Sequence, residues 1–182
     1  MVASSALLGA AWAAGAFTSG YGRLILLALG LSWLGDLLLL PQGRKPLFLL
    51  GMLGFILAHA TYGAAFLSLA FSPVACLAGA AVSGAAGYWT YRWLAPHLAG
   101  VFRVAVPAYL AVIAAMLALA VSATAATGQV AMASGAAAFA LSDLSVARGR
   151  FIRPSWAAKA WGLPLYYAAQ LALAGSVRLV AR

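Results

Sequence analysis

Carboxylates are almost absent from this sequence. Asp36 and Asp143 are the only acidic residues among 182, and each lies within a long apolar segment. An ionisable group at the centre of a membrane span costs about 2.5–3.5 kcal/mol on insertion scales. Two carboxylates retained at that cost, in a chain without any other, predict a catalytic or proton-handling site. The alternative is structural: each aspartate caps a helix or pairs with an arginine at the membrane edge.

Other features that the sequence lacks exclude several classes of protein. Because Cys76 is the single cysteine, no internal disulfide can form. Neither a Gly-x-Ser-x-Gly motif nor a glycine-rich phosphate loop occurs, which argues against a serine hydrolase and a nucleotide-dependent enzyme. Two histidines, one cysteine and two aspartates are few for zinc, which binds three or four such ligands. We therefore expect neither a metal nor another cofactor.

Apolar residues dominate what is present. They make up 66% of the chain, charged residues make up 7%, and mean hydropathy is +1.02. Apolar runs of about 20 residues recur, each long enough to cross a hydrocarbon core of about 30 Å. This predicts one all-α domain over residues 1–182, a polytopic transmembrane helix bundle. The net charge of +9 comes from basic residues in short loops, which favours contact with lipid headgroups over nucleic acid.

Seven spans are predicted from the apolar runs and the Pro and Gly residues between them. They cover about 4–19, 23–40, 47–71, 74–95, 102–122, 129–147 and 156–178. Eight basic residues flank the loops after spans two, four and six, against three on the opposite side. By the positive-inside rule the first side is cytoplasmic. We thus expect a multi-pass protein of the cell (inner) membrane, with its N-terminus in the cytoplasm and its C-terminus outside.

The two aspartates are predicted to share one depth in the bundle. Spans two and six run in the same direction, and each aspartate lies about five residues before the cytoplasmic end of its span. At a rise of about 1.5 Å per residue, both carboxylates lie about 7 Å inside that edge. We expect them to line one cavity, with carboxyl groups within about 10 Å of each other, as two-carboxyl hydrolysis requires.

Other polar and aromatic side chains fall in the predicted spans. Span three carries a stripe on one helix face, formed by Phe48, Gly51, Phe55, His59, Tyr62 and Phe66. Such a stripe is more often packing than chemistry, and His59 is either a substrate-binding residue or a neutral, hydrogen-bonded core residue. The further candidates are Ser32, Tyr109, Ser142, Tyr166, Tyr167 and Gln170.

At these residues the sequence resembles the lysoplasmalogenase family, the YhhN-like integral membrane hydrolases. The resemblance covers about residues 30–172 and consists of five blocks in the family's order. They are Gly30-Leu-Ser32-Trp-Leu-Gly35-Asp36, the Phe48 to Phe66 stripe, Pro107-x-Tyr109 with Met116, Gly135-Ala-x2-Phe139-x2-Ser142-Asp143-x7-Phe151, and Tyr166-Tyr167-x2-Gln170. One feature departs from the family. Its members usually have eight predicted spans and an early Lys-Pro pair, whereas seven spans and no such pair before Asp36 are predicted here.

The resemblance implies hydrolysis of the vinyl ether bond of lysoplasmalogen, a lysophospholipid of the bilayer. The products would be a fatty aldehyde and glycerophosphocholine or glycerophosphoethanolamine. Asp36 and Asp143 would be the general acid and base, either residue in either role. Substrate binding would fall to Ser32, His59, Tyr62, Tyr109, Ser142, Tyr166, Tyr167 and Gln170. The headgroup phosphate would lie near Arg44, Lys45 or Arg148.

Two other functions fit the same residues. In a small proton-coupled transporter the two aspartates would be proton sites, although the sequence shows no inverted repeat and no obvious broken helix. A non-catalytic lipid-binding membrane protein would use the apolar spans alone. An assay in detergent separates these functions, since a hydrolase releases aldehyde without a gradient and a carrier needs two compartments.

Overall fold

The computed structural model describes residues 8–9, 11, 15–41, 43–154 and 156–180. Within these residues the regular structure is entirely helical, which confirms the all-α prediction. The α-helices are α1 (Gly20–Leu39), α2 (Lys45–Leu67), α3 (Pro73–Leu94), α4 (Phe102–Thr127), α5 (Val130–Phe151) and α6 (Trp156–Val180), with a 3₁₀ turn at Ala95–His97. They correspond in order to predicted spans two to seven. The predicted first span, 4–19, lies largely outside the described residues.

The helices divide into two groups by hydropathy. Among the described residues, α1, α2, α4 and α5 are long and apolar enough to cross a membrane. Helices α3 and α6, with 22 and 25 residues, are not among these four. The protein is therefore a helical membrane protein with four candidate spans by composition, where seven were predicted.

Local sequence signals explain where the helices begin and end. The Ser19 hydroxyl accepts a hydrogen bond from Gly22 N at 3.0 Å and caps α1. Helix α4 ends at Gly128, whose φ of 74° places it in the left-handed region that glycine adopts without strain. Helix α5 continues to Phe151, beyond the predicted end at 147. The first helix-breaking residue after it is Pro154, which cannot donate a backbone hydrogen bond.

Five of the helices form a closed ring, in which α1 packs on α2, α2 on α4, α4 on α5, α5 on α6, and α6 on α1. Helix α3 packs against α4 from outside the ring. The ring interior is filled by large buried side chains, among them Phe66, Met116, Phe139 and Leu173. Helices α1 and α5 lie on either side of α6 in the ring. Side chains from both can therefore point into the same interior.

Glycine allows two helix pairs to approach closely beside this interior. A Cβ atom at Gly35 of α1 would lie 2.8 Å from the Phe55 ring of α2. A Cβ atom at Gly162 of α6 would overlap the Ser145 side chain of α5. Gly35 directly precedes Asp36, and Ser145, which Gly162 contacts, lies two residues after Asp143. These two contacts therefore determine how near the helices that carry Asp36 and Asp143 come to their neighbours.

Candidate active site

One cavity of about 880 Å³ contains both carboxylates of the chain in its lining. Asp36 comes from α1 and Asp143 from α5, and Tyr109, Ser142 and Tyr166 also line the cavity. The rest of the lining is mostly apolar and is contributed by all six helices. The sequence-based expectation that the two aspartates of α1 and α5 line a common cavity thus agrees with the structure.

Each carboxylate accepts a hydrogen bond from a tyrosine of another helix. Tyr166 Oη of α6 donates to Asp36 Oδ2 at 2.8 Å. Tyr109 Oη of α4 donates to Asp143 Oδ2 at 2.9 Å. Hydrogen bonds of this kind fix the orientation of a carboxylate and stabilise its charged form. Two residues predicted to bind substrate therefore contact the predicted acid and base directly.

His59 distinguishes the surroundings of Asp143 from those of Asp36. The ring is fully buried, and its Nε2 lies 3.3 Å from Asp143 Oδ2. This contact lacks the alignment of a hydrogen bond, and Nε2 has no other hydrogen-bond partner among the described residues. We therefore treat the pair as an electrostatic contact. The side chain of Asp143 is 15% exposed, so it lies between the buried histidine and the cavity.

The other nitrogen of His59 is held by a backbone oxygen. His59 Nδ1 lies 2.6 Å from the backbone oxygen of Phe55, which can only accept, so Nδ1 carries a hydrogen. The Nε2 atom is therefore the ring nitrogen that faces the Asp143 carboxyl group.

Phe139 of α5 forms the wall between these groups. Its ring centroid lies 4.6 Å from that of His59, 5.3 Å from that of Tyr166 and 6.1 Å from that of Phe55. The side chain is fully buried and does not line the cavity, so it packs behind the site. Sequence reasoning did not include Phe139 among the site residues. Its position one helical turn before Asp143 was the available signal.

The remaining predicted substrate-binding residues lie behind or beside the cavity. Ser142 lines it, but its hydroxyl donates to the Phe139 oxygen of the same helix at 2.7 Å. Tyr167 packs on the Tyr166 ring, with centroids 5.3 Å apart. The others are fully buried and are not among the lining residues: Ser32, Tyr62 and Gln170. The structure does not place these three side chains at the cavity surface, and their role in substrate binding stays a prediction.

Two cations lie beside aromatic residues at one end of the cavity. Lys45 Nζ lies 5.7 Å from the centroid of Phe102, and the Arg150 guanidinium lies 4.5 Å from the centroid of Phe48. Phe48 and Phe151 line the cavity. Neither of these cations lines the cavity itself. Arg44 and Arg148, the other predicted phosphate-binding residues, do not line it either and have no such aromatic contact among the described residues. Arg150 was predicted only as a topology signal.

Comparison with known proteins identifies relatives of the chain. A family model described as the YhhN family matches residues 1–177. The chain is 31% identical over 156 residues to the protein named lysoplasmalogenase TMEM86A from Bos taurus, and equally to its Homo sapiens counterpart. The matched segment is 82% of this chain and 63% of each relative, so the chain spans less than two thirds of the length of these relatives. No solved structure matches the chain.

Proposed function

This chain belongs to the YhhN family, and we propose that it is a lysoplasmalogenase, which hydrolyses the vinyl ether bond of a lysoplasmalogen. The products are a fatty aldehyde and a glycerophospho-base. The observation that carries the proposal is the cavity in which the chain's only two carboxylates meet, each bound by a tyrosine. The relatives named lysoplasmalogenase support the same activity.

Hydrolysis of a vinyl ether needs one acid and one base. The acid protonates the β carbon of the double bond, and the resulting oxocarbenium ion carries its charge on the α carbon and the ether oxygen. Water adds to the α carbon and gives a hemiacetal, which then expels the glycerol oxygen. A protonated and an ionised carboxyl group in one low-dielectric cavity supply both functions. Glycosidases use two carboxyl groups in a related way on an acetal.

We assign the acid to Asp143. In this assignment Asp143 carries the proton, and His59 Nε2, 3.3 Å away, faces it because the Phe55 oxygen binds the hydrogen on Nδ1. Asp143 is the member of the pair that lines the cavity, so it delivers this proton to the β carbon. His59 is a positioning residue in this scheme, since it is fully buried and acts through Asp143.

We assign the base to Asp36. It is the other carboxyl group in the cavity lining, and the Tyr166 hydroxyl, which donates to it, fixes its orientation. Asp36 stabilises the oxocarbenium ion by its charge and takes a proton from the attacking water. In the collapse of the hemiacetal, Asp36 returns this proton to the leaving glycerol oxygen. Asp143 takes the proton of the hemiacetal hydroxyl, so both residues end in their starting states.

The phosphate of the substrate would lie near Lys45 and Arg150. Both cations lie over aromatic rings beside the cavity, and the chain has no carboxylate besides the two of the site to neutralise them. A phosphate bound there places the glycerol and its vinyl ether between the headgroup and the apolar part of the cavity.

The test is an assay with protein purified in detergent. We expect a lysoplasmalogen to release fatty aldehyde, and the ester-linked lysophospholipid analogue to release no fatty acid. The activity should survive prolonged treatment with EDTA. Release of fatty acid from the ester would indicate a lysophospholipase, and loss of activity with EDTA that zinc restores would contradict the two-carboxyl mechanism. Absence of aldehyde in detergent, together with proton-coupled uptake in vesicles, would support a carrier instead.

A further inference from the structure

We propose that the hydrocarbon chain of the substrate lies in a groove between α3 and α5 whose floor is α4, and that the length of this groove selects the chain length. This groove, which we call the tail groove, is the part of the cavity that extends from Asp143 to Val121. The inference rests on the proposed function, and it identifies which surface of the bundle binds the single chain of a lysolipid.

Helices α3 and α5 flank the same length of α4. On one side, Ser83 Oγ of α3 donates to the Ala114 oxygen of α4 at 3.0 Å. On the other side, Tyr109 contacts Asp143 near one end of α5, and Ala133 N donates to Thr124 Oγ1 at 3.1 Å near the other. Helix α3 packs on α4 from outside the ring of five helices and touches α5 over only a short stretch. No other helix among the described residues packs between α3 and α5.

The walls of the tail groove are made of small side chains without free polar groups. The lining residues of α3 include Ala78, Gly79, Ser83, Ala86 and Gly87, and those of α5 include Ala133, Ser134, Ala137 and Ala140. Both hydroxyls are occupied within their own helices, since Ser83 also donates to the Gly79 oxygen and Ser134 donates to the Val130 oxygen. A surface of this kind fits a hydrocarbon chain, because it is mostly apolar and its two hydroxyl hydrogens are already donated.

The dimensions of the tail groove match one lipid chain. Twelve residues separate Tyr109, beside Asp143, from Val121 at the far end, which is about 18 Å at the rise of an α-helix. This is close to half of a hydrocarbon core of about 30 Å, the share that the chains of one leaflet occupy. The rims are open to the bilayer, because Val82 of α3 is 73% exposed and Leu141 of α5 is 50% exposed. A chain can therefore enter sideways from the membrane.

Three tryptophan substitutions on α3 test whether the tail groove selects substrates by the length of their hydrocarbon chain. Ala78 lines its far end, Ala86 lines it near Asp143, and Ala81 is exposed on the opposite face of α3. We expect Ala78→Trp to lower kcat/KM at least ~10-fold for a substrate with an octadecenyl chain and less than ~2-fold for one with an octenyl chain. Ala86→Trp should lower kcat/KM for both substrates, and Ala81→Trp for neither. Equal effects of Ala78→Trp on both substrates would overturn the proposal.

A second measurement separates this inference from the proposed activity. An ester-linked lysophosphatidylcholine with a photoreactive group at the end of its chain is cross-linked to the wild-type protein, and the labelled residues are identified by mass spectrometry. We expect labelling of α4 at Leu117–Val121 and of α3 near Ala78, whether or not the protein cleaves a vinyl ether. Labelling confined to residues outside the lining of the cavity would refute the tail groove even if the enzyme is active. Correct labelling without aldehyde release would refute the proposed function alone.

Discussion

Asp36 and Asp143 each accept a hydrogen bond from a tyrosine of another helix. Asp143 also faces a buried histidine whose other nitrogen is held by a backbone oxygen. The proposed assignment of the acid to Asp143 and of the base to Asp36 rests on this histidine. Two predictions at the scale of single residues concern these contacts.

The first concerns the two aspartates. We expect Asp36→Asn and Asp143→Asn each to lower kcat at least ~100-fold, because general acids and bases typically contribute ~10²–10⁴-fold. The residual activities should differ in pH dependence. Without the base, Asp36→Asn loses the fall in rate at low pH, and without the acid, Asp143→Asn loses the fall at high pH. Rate–pH profiles of the purified variants measure this. If Asp36→Asn instead lost the fall at high pH and Asp143→Asn the fall at low pH, the roles of the two aspartates would be exchanged.

The second concerns the tyrosines that hold them. Removing the hydroxyl in Tyr109→Phe or Tyr166→Phe deletes one hydrogen bond to a charged group, worth about 1.5–3 kcal/mol. We expect kcat to fall ~10–100-fold in each variant, and the unfolding temperature to fall modestly while the protein stays folded. Tyr88→Phe is the matched control, since Tyr88 is exposed on α3 and does not line the cavity. Wild-type turnover in either site variant would show that its hydroxyl does not support the carboxylate.

At the scale of helices, close contact between α5 and α6 holds Asp143 in place. We expect Gly162→Ala to lower both the unfolding temperature in detergent and kcat, because the new methyl group overlaps Ser145. Overpacking of this kind costs about 1–3 kcal/mol, more than the gain in helix propensity from Gly to Ala. The double variant Gly162→Ala with Ser145→Gly should recover most of the loss. Gly84→Ala on α3 is the control, since a Cβ atom there meets nothing within 4 Å.

The helices and their order were predictable from sequence, whereas their pairing was not. Apolar runs bounded by Ser72-Pro73, Thr127-Gly128 and Pro154 place α3, α5 and α6 within a few residues of their observed bounds. Asp36 and Asp143 lie at equal depth on spans that run in the same direction, and this likewise indicated that they lie near each other. The position of α3 on the outer side of α4 depends on which helix faces pack against each other. The helices are apolar on nearly all faces, so their sequences give little pattern from which to predict this packing.

The detail of the site was predictable in part. Tyr109 and Tyr166 were candidates because they are polar groups in apolar spans, and both contact a carboxylate. The same argument selected Gln170, which is buried and does not line the cavity. The position of a residue along a helix gives its depth in the membrane, but not whether its side chain reaches the cavity. Arg150 was missed since its contact with Phe48 joins two different helices.

At the scale of the whole molecule, the distribution of basic residues predicts the orientation in the membrane. The loop between α3 and α4 contains Ala99 and lies on the side with eight basic residues, whereas the loop between α2 and α3 contains Ala70 and lies on the other. In a Cys76→Ser background, we expect a membrane-impermeant maleimide to label Ala70→Cys in intact cells and Ala99→Cys only after lysis. The opposite pattern would place the carboxylates near the outer face.

The central claim is that a carboxyl group of this chain protonates the β carbon of a vinyl ether. The most direct measurement is the mass of the aldehyde released from a lysoplasmalogen by the purified protein in D₂O, with authentic aldehyde incubated in the same buffer as a control for exchange. We predict one deuterium at the carbon next to the carbonyl, at a rate at least ~100-fold lower with Asp143→Asn than with the wild type. Aldehyde without this deuterium, or no aldehyde at all, would contradict the claim.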